Sequence, residues 1–210
     1  MARKAQVKKA LGRPKGSDSA KTLARLLDAA KLTFAENGYK DASNKMIAQR
    51  AQMTSGSIYH YYSSKQELFL AVHEKLQNAM LTQREDSLAD AKTFKEAFAM
   101  LVDEMARINI EDPSSAGFFS VVRTEARRNP EISDALDDTR WLSLYDRMTK
   151  LGVDNGEIPR ASAGHVKALL ALIVLGIAHH SFEATQTAHL RALEALKMLI
   201  NDELLSQSKA

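Results

Sequence analysis

Short polar and basic side chains are concentrated between residues 43 and 65, and they are the types that bind phosphates and the edges of nucleic-acid bases. Ser43 and Thr54 are predicted to cap two short helices, whose free N–H groups and partial positive charge would hold a phosphate. Gly56, which has no side chain, would let the backbone approach a ligand closely. Further hydrogen-bond donors and cations of the same stretch are Lys45, Ser55, Ser57, Tyr59, His60, Tyr61 and Lys65.

The same residues also have ordinary structural interpretations. A tyrosine-rich helix more often packs in a core, and here we expect Ile58 and Tyr62 to face inward while Tyr59 and His60 face outward. His60 could instead cap its own helix as a neutral donor. A metal site at His60 is disfavoured because no second ligand stands at a suitable spacing.

Three predicted helices must position these side chains. Apolar residues from Leu23 to Phe34 recur at helical spacing, and the pair Asn37-Gly38 is typical of a helix end. A second helix is predicted over about residues 44–51 and a third over about 55–61, with a tight turn between them. Two short helices joined in this way have the spacing of a helix-turn-helix.

Residues 22–70 resemble, without a gap, the DNA-binding domain of TetR-family transcriptional regulators. In the first helix the matching features are LLDAA at 26–30, Phe34 and NGY at 37–39. In the second they are Ile47-Ala48 and Ala51, and the segment SGSIYHYY at 55–62 with SKQELF at 64–69 follows. Gln52 departs from the pattern, because the family usually has Gly in this turn. Beside the capping residues Ser43 and Thr54, the resemblance implies DNA contacts from Asn44, Lys45, Ser55, Gly56, Ser57, Tyr59, His60 and Lys65.

The start of the chain is strongly basic. Residues 1–21 carry seven Lys and Arg side chains against one Asp, whereas the remaining 189 residues carry 22 basic and 25 acidic ones. Such a segment suggests a polyanionic partner, and a disordered, solubilising tail is the alternative. Within it, residues 12–16 (GRPKG) are similar to the core of an AT-hook, with Leu11 where the hook usually has Arg. Arg13 would then enter a minor groove of DNA, or make a loose phosphate contact instead.

The composition favours an all-α chain. The sequence has nine Gly and four Pro against many Ala, Leu, Glu and Lys, and no segment alternates for long enough to form a strand. Beyond residue 64, the predicted helices run over about 65–87, 94–108, 114–129, 130–148, 162–182 and 187–206, with a loop at 151–159. We expect about nine helices in all. The chain would divide into a basic arm over 1–18, a helix-turn-helix domain over 19–64 and an effector-binding and dimerisation domain over 65–210.

Several classes of function are disfavoured. The sequence contains no cysteine, which excludes disulfides, thiol nucleophiles and cysteine-ligated zinc and fits a reducing compartment. The motifs G-x-S-x-G, G-x-G-x-x-G, H-E-x-x-H and the P-loop are absent. The longest apolar run, residues 166–178, is shorter than the ~18–20 residues of a membrane span and includes Lys167. We therefore predict a cytoplasmic protein that is not an enzyme, needs no cofactor or metal and does not enter a membrane.

The helix over residues 166–178 is apolar all round, so it needs cover on every side. One face would pack on its own domain and the opposite face on a second copy of the chain, with the last helix completing a four-helix interface. A core helix within a monomer is the alternative. The residues expected at the dimer interface are Leu169, Leu172, Ile173, Gly176, Leu193, Leu196 and Ile200.

The resemblance implies that the C-terminal domain binds a small-molecule effector, usually in an apolar cavity with a few polar groups. The supply of Met and aromatic residues favours an apolar or aromatic effector, with Arg123 available to an anionic group and His179 to a hydrogen bond. The candidate lining residues are Met100, Phe118, Phe119, Arg123, Trp141, Tyr145, Met148, His179 and Phe182.

The predicted function is therefore a homodimeric, sequence-specific DNA-binding repressor that reads a pseudo-palindromic operator and is released by this effector. The alternative is a DNA-bound factor whose C-terminal domain binds a protein partner instead.

Overall fold

Ten α-helices and one short 3-10 turn make up the computed structural model, which describes residues 15–88, 90–136 and 138–204. No strand occurs in these residues, and the predicted all-α fold is confirmed. The helices are α1 (Lys15–Asp41), α2 (Asn44–Arg50), α3 (Ser55–Ile58), α4 (Lys65–Leu88), α5 (Phe94–Glu111), α6 (Pro113–Ala126), α7 (Pro130–Ala135), α8 (Thr139–Asp154), α9 (Ala163–Glu183) and α10 (Gln186–Ile200).

The first of two hydrophobic cores joins α1, α2, α3 and the start of α4 to α6 and α7. At its centre, the ring centroid of Phe69 lies 5.0 Å from that of Phe34 and 5.1 Å from that of Phe118. All three rings are fully buried. Because Phe118 belongs to α6, the core of the N-terminal helices continues into the C-terminal part of the chain.

The second core is formed mainly by α5, α8, α9 and α10. Its buried side chains include Leu101, Met148, Leu170 and Leu193, one from each of these helices. From α9 this core takes only one stripe, in which Leu170, Val174 and Ile177 lie at helical spacing. Much of the apolar surface of α9 is therefore left outside the core.

Two residues with positive φ shape the chain around α2. Gly38 has a φ of 74° and kinks α1 at the predicted end of the first helix. Gln52, between α2 and α3, has a φ of 52°, a region that few side chains adopt and that costs about 1–2 kcal/mol. The glutamine thus takes the conformation expected of a glycine in this turn.

The structure differs from the sequence prediction after Pro130. The sequence predicts one helix through Met148, whereas the structure has α7 and α8, separated at Leu136 with a ψ of 125°. Ile132 of α7 is buried in the first core and Tyr145 of α8 in the second, so the chain must change direction between them. This break accounts for ten helices in the described residues where about nine are predicted.

Two helix ends also differ from the prediction. α8 continues to Asp154, into the predicted loop, and a turn at Gly156 (φ 75°) follows it. α10 ends at Ile200 and not near residue 206, and the backbone of Asp202 (φ 61°) redirects the chain there.

Candidate nucleic-acid interface and ligand cavity

The turn between α2 and α3 presents hydroxyl groups at the surface. Thr54 Oγ1 accepts a hydrogen bond from the Ser57 backbone N–H at 3.2 Å and lies 2.7 Å from Ser57 Oγ. A Cβ atom added at Gly56 would have Thr54 Oγ1, at 3.9 Å, as its nearest neighbour, so this glycine borders open space. Ile58 on the opposite side is buried and anchors α3 to the first core. One side of α3 is therefore small, polar and open to a ligand.

Tyr59 projects from this surface and is held in place by α2. Its side chain is 57% exposed, and its hydroxyl accepts a hydrogen bond from Asn44 Nδ2 at 3.1 Å. The hydroxyl keeps its own proton for a further acceptor, such as a phosphate oxygen. Asn44 Oδ1 is buried without a partner in the described part of the chain, so the bond to Tyr59 is what orients this amide.

The start of α2 offers a cap and a free cation. Ser43 Oγ accepts from the Met46 backbone N–H at 3.3 Å, so the predicted cap is present. Lys45 is exposed, and its ammonium group makes no hydrogen bond or ion pair with the described residues. Both features are compatible with a phosphate beside α2.

Lys65, at the start of α4, is engaged within the chain. Its Nζ donates to the backbone oxygens of Tyr39 at 2.8 Å, Lys40 at 3.2 Å and Ala42 at 3.0 Å. The same Nζ lies 4.6 Å from the centroid of the Tyr39 ring. An ammonium group has three protons, and all three are used at the end of α1 and in the α1–α2 connection. The predicted phosphate contact of Lys65 would require at least one of these bonds to break.

Of the eleven residues predicted to contact DNA, ten belong to α2, α3, their caps and connections, or the start of α4. These ten are Ser43, Asn44, Lys45, Thr54, Ser55, Gly56, Ser57, Tyr59, His60 and Lys65. Arg13 lies outside the described residues. Within the residues that are described, no group of three or more His, Asp and Glu side chains could hold a metal ion.

A cavity of about 260 Å³ lies among α4, α5, α6, α8 and α9. Exposed residues, including Arg123, Arg127 and Leu142, border its mouth, and buried residues such as His73 and Tyr145 form its floor. Its size is just below the ~300–1,000 Å³ usual for small-molecule sites. Cations at the mouth and aromatic rings at the floor suit a small molecule with both charged and apolar parts.

His73 is a titratable group at the floor of this cavity. Burial, followed by the positive charge of Arg123, lowers the pKa of His73 to about 4, against a smaller opposing effect of Asp138. The imidazole is therefore neutral at pH 7, and its ring meets that of Phe119 edge-on with centroids 5.8 Å apart. The sequence prediction omits His73, although its spacing of four residues from the buried Phe69 places it on the inward face of α4.

Five of the nine predicted lining residues border the cavity and four lie elsewhere. Those at the cavity are Phe119, Arg123, Trp141, Tyr145 and His179. Phe118 is buried in the first core and Met148 in the second. Met100 packs half-buried against the second core, and Phe182 is exposed. Adjacent residues of a helix point about 100° apart, so Phe118 and Phe119 cannot both face the same cavity.

An ion pair joins α1 to the corner between α5 and α6. Lys31 Nζ lies 2.5 Å from Asp112 Oδ2, Ser115 donates to the same oxygen at 2.6 Å, and Ser114 donates to Oδ1. Burial acts to raise the pKa of Asp112, but the hydrogen bonds from Lys31, Ser114 and Ser115 outweigh it and lower this pKa to about 2. The carboxylate is therefore charged at neutral pH and ties the first helix to the elements around the cavity.

α9 leaves a row of apolar side chains uncovered. Leu172 is 66% exposed and Leu169 is 52% exposed. A groove of about 380 Å³ follows between α9 and α10, and a Cβ atom added at Gly176 in this groove would have no neighbour within 4 Å. The predicted interface residues that keep exposed surface are Leu169, Leu172, Ile173, Gly176, Leu196 and Ile200, whereas Leu193 is buried in the second core.

The helical stretch Arg160–Glu183 is, by length and composition alone, long and apolar enough to cross a membrane, with a mean hydropathy of 1.8. Within this stretch, 17% of the most apolar 18-residue window is buried inside the protein. This stretch is longer than the apolar run at 166–178 because the helix continues at both ends with more polar residues. A single helix of this kind is weak evidence for a membrane span, since core helices of soluble proteins pass the same test.

Comparison with known proteins identifies the same N-terminal domain. Residues 26–72 match the sequence model of "Bacterial regulatory proteins, tetR family". The fatty acid metabolism regulator protein of Bacillus subtilis (strain 168) is 25% identical over 137 residues, with 64% of this chain and 69% of that protein covered.

Solved structures share the fold over both parts of the chain. A TetR transcription regulator from Haloarcula marismortui superposes with a TM-score of 0.70 at 20% identity, covering 89% of this chain and 100% of the other. FadR from Bacillus subtilis in complex with stearoyl-CoA superposes with a TM-score of 0.65 at 22% identity, covering 87% and 97%. Residues 26–72 therefore form an N-terminal domain of the tetR family of bacterial regulatory proteins, and the curated relatives of the chain are transcriptional regulators and repressors.

Proposed function

We propose that this protein is a homodimeric transcriptional repressor that binds a pseudo-palindromic operator and leaves it when a small molecule fills the cavity. The observation that carries the proposal is the position of α6, where adjacent residues face two different sites. Phe118 is buried in the core of the DNA-binding helices, and Phe119 lines the cavity. A molecule in the cavity therefore contacts the helix against which α1 and α4 pack.

The DNA-binding half would place α3 in the major groove. Its open side, at Gly56 and Ser57, allows close approach, and the capped starts of α2 and α3 direct N–H groups at phosphates. Tyr59, held by Asn44, and the free Lys45 would add two further phosphate contacts. In a dimer, two copies of α3 about 34 Å apart would read half-sites separated by one helical turn.

The uncovered faces of α9 and α10 support dimerisation. The exposed Leu169 and Leu172 and the groove at Gly176 form a continuous apolar surface of the kind that marks protein interfaces. A second copy would cover this surface and complete a four-helix interface. Dimerisation also accounts for the apolar length of α9 without a membrane, and we infer a cytoplasmic location from the DNA target.

Release would follow from the contacts that α6 makes on both sides. A ligand that displaces Phe119 shifts α6, and Phe118 passes this shift to Phe34 of α1 and Phe69 of α4. The pair between Lys31 and Asp112 links α1 to the start of α6 as well. An effector that binds the shifted form more tightly lowers the population that has the operator spacing.

The cavity supports a small molecule with an apolar body and a polar end. Below the polar mouth its walls are mainly Met, aromatic and aliphatic side chains. The similar regulator from Bacillus subtilis was solved with stearoyl-CoA, which is also amphipathic. We infer a comparable division of contacts for the effector of this protein, and no enzymatic activity.

The test is fluorescence anisotropy with DNA from upstream of the protein's own gene, at near-physiological salt and with excess non-specific competitor. We expect saturable binding that survives the competitor, and reversal by a metabolite selected from a panel by thermal shift. Phe119→Ala should bind the DNA but need about tenfold more of that metabolite, because it loses apolar contact with it. Met100→Ala, which alters a residue outside the cavity, is the matched control and should respond like the wild type.

Two outcomes would contradict the proposal. Binding that vanishes with competitor would mean that only non-specific phosphate attraction was present on this fragment. Specific binding that no small molecule reverses, but that a protein partner changes, would favour the factor with a protein-binding C-terminal domain.

A further inference from the structure

The ligand cavity changes character from its mouth to its floor. The mouth holds the guanidinium groups of Arg123 and Arg127, and among the described residues the carboxylate that opposes them is that of Asp138, 3.5 Å from Arg123. The floor is formed by buried residues such as Tyr145 and Val174. A ligand that matches both ends has an anionic group at the mouth and an apolar body below it.

A second, smaller cavity of about 40 Å³ lies beyond this floor. The two cavities share Met80, Met105, Phe119 and Ala178 in their linings, so these side chains form the wall between them. Methionine side chains are unbranched and adapt readily to the shape of a ligand. An elongated ligand would therefore reach the smaller cavity by displacing the two methionines.

The smaller cavity is bordered by His189, a buried histidine whose hydrogen bonding is incomplete. His189 is 1% exposed, and its Nδ1 lies 3.0 Å from Nδ1 of His180. Its other nitrogen, Nε2, is buried and has no partner in the described part of the chain. Buried polar groups are almost always hydrogen-bonded, so Nε2 is a group that a ligand would satisfy.

We propose that the effector is an elongated amphipathic carboxylate with a hydroxyl group at its far end. The carboxylate pairs with Arg123 and Arg127 at the mouth. The apolar chain displaces Met80 and Met105, and the terminal hydroxyl bonds to His189 Nε2. A hydroxyl both donates and accepts, so it satisfies Nε2 in either tautomer. This inference rests on the proposed release of the repressor by a small molecule.

The probes are octanoate, dodecanoate and hexadecanoate, each compared with the same chain bearing a terminal hydroxyl, titrated calorimetrically into the full chain. For the chain length that fits best, the wild type should bind the hydroxy form roughly three- to tenfold more tightly than the parent. His189→Leu should bind both forms alike. Thr149→Val is the matched control, because Thr149 Oγ1 is another buried polar atom without a partner in the described residues. Since Thr149 lines neither of the two cavities, this variant should keep the preference for the hydroxy form.

A second measurement covers the case in which His189→Leu does not fold. The nitrogen NMR signal of the His189 ring in the wild type should then shift with the hydroxy probe and not with its parent. Equal affinity for the two forms at every length, no binding of any carboxylate, or a preference that survives in His189→Leu would overturn the proposal.

DNA release is measured alongside by anisotropy, so that the two proposals can fail separately. Release by the parent chains without a preference for the hydroxy forms refutes the hydroxyl subsite and leaves the proposed function intact. The expected preference without any release refutes the proposed function and leaves the subsite.

Discussion

Replacing Lys65 with methionine distinguishes a lysine that holds the fold from one that contacts DNA. Lys65 Nζ donates to the backbone oxygens of Tyr39, Lys40 and Ala42 at 2.8–3.2 Å and lies over the ring of Tyr39. Methionine keeps much of the aliphatic stem and removes the ammonium group. The three carbonyl groups around the end of α1 then lose their common donor.

The free energy of unfolding should fall by about 2–3 kcal/mol. Hydrogen bonds to a charged group contribute about 1.5–3 kcal/mol each. Lys65 is only half-buried, so water replaces part of this contribution, and we assign about 2 kcal/mol to the three bonds together. The contact with the Tyr39 ring adds about 0.5–1 kcal/mol. For a chain of this length, Tm should therefore fall by about 5–10 °C.

The assay compares Lys65→Met with Lys45→Met, whose side chain is exposed and unpaired in the described residues. Thermal unfolding gives the loss of stability, and anisotropy at several salt concentrations gives the slope of log affinity against log salt. Lys65→Met should lose stability with little change in this slope, whereas Lys45→Met should stay stable and reduce the slope by about 1. An unchanged Tm together with a reduced slope for Lys65→Met would refute the reasoning and assign Lys65 to a phosphate.

Three further changes test the surface, the cavity and the dimer face. Tyr59→Phe removes an exposed hydroxyl that accepts a bond from Asn44 and is proposed to donate to a phosphate. DNA affinity should fall about three- to tenfold, while the free energy of unfolding changes by no more than about 0.5 kcal/mol. Unchanged DNA affinity would contradict the phosphate contact. The pKa of His73 is about 4 in the folded chain, against an ordinary value of 6.5. Between pH 4 and pH 6.5 the unfolded chain therefore binds more protons than the folded chain. The free energy of unfolding should therefore rise by up to about 3 kcal/mol from pH 4 to pH 6.5 in denaturant titrations, and this rise should be missing from His73→Leu. Gly176→Glu should separate the dimer in sedimentation without unfolding the chain, and Gly164→Glu, equally open but about 120° away around α9, should remain dimeric.

Much of the N-terminal domain could be predicted from the sequence because its signals are local. The caps Ser43 and Thr54 bond to backbone groups only three residues away. Gly38 breaks the first helix at the position where the pair Asn37-Gly38 indicates an end. Each of these features depends on a few neighbouring residues, so the elements around α3 could be placed without knowledge of the rest of the chain.

The role of Lys65 and the composition of the cavity depend on contacts between distant residues. The carbonyl groups that hold Lys65 lie 23 to 26 residues earlier in the chain. The local sequence of α6 contains both Phe118 and Phe119, and only packing against α1 and α4 decides which of them turns to the cavity. The break between α7 and α8 contains no glycine or proline, and it forms because the two helices bury side chains in different cores.

The energetics of release limit how the effector must bind. Converting a population that is about 99% operator-competent to one that is about 1% competent requires roughly 10⁴-fold tighter binding to the released form, or about 5.5 kcal/mol. Apolar burial at about 25 cal/mol per Å² would need roughly 220 Å² to supply this difference. A sphere that fills the 260 Å³ cavity has a surface of roughly 200 Å², and a less compact shape has more, so apolar contacts there can supply most of this difference if the operator-bound form makes none of them. Polar groups add to it at Arg123 and Arg127 on one side and at His189 beyond Phe119 on the other. A ligand that uses both passes the wall formed by Met80, Met105 and Phe119, and we expect its contact with Phe119 to couple binding to DNA through α6.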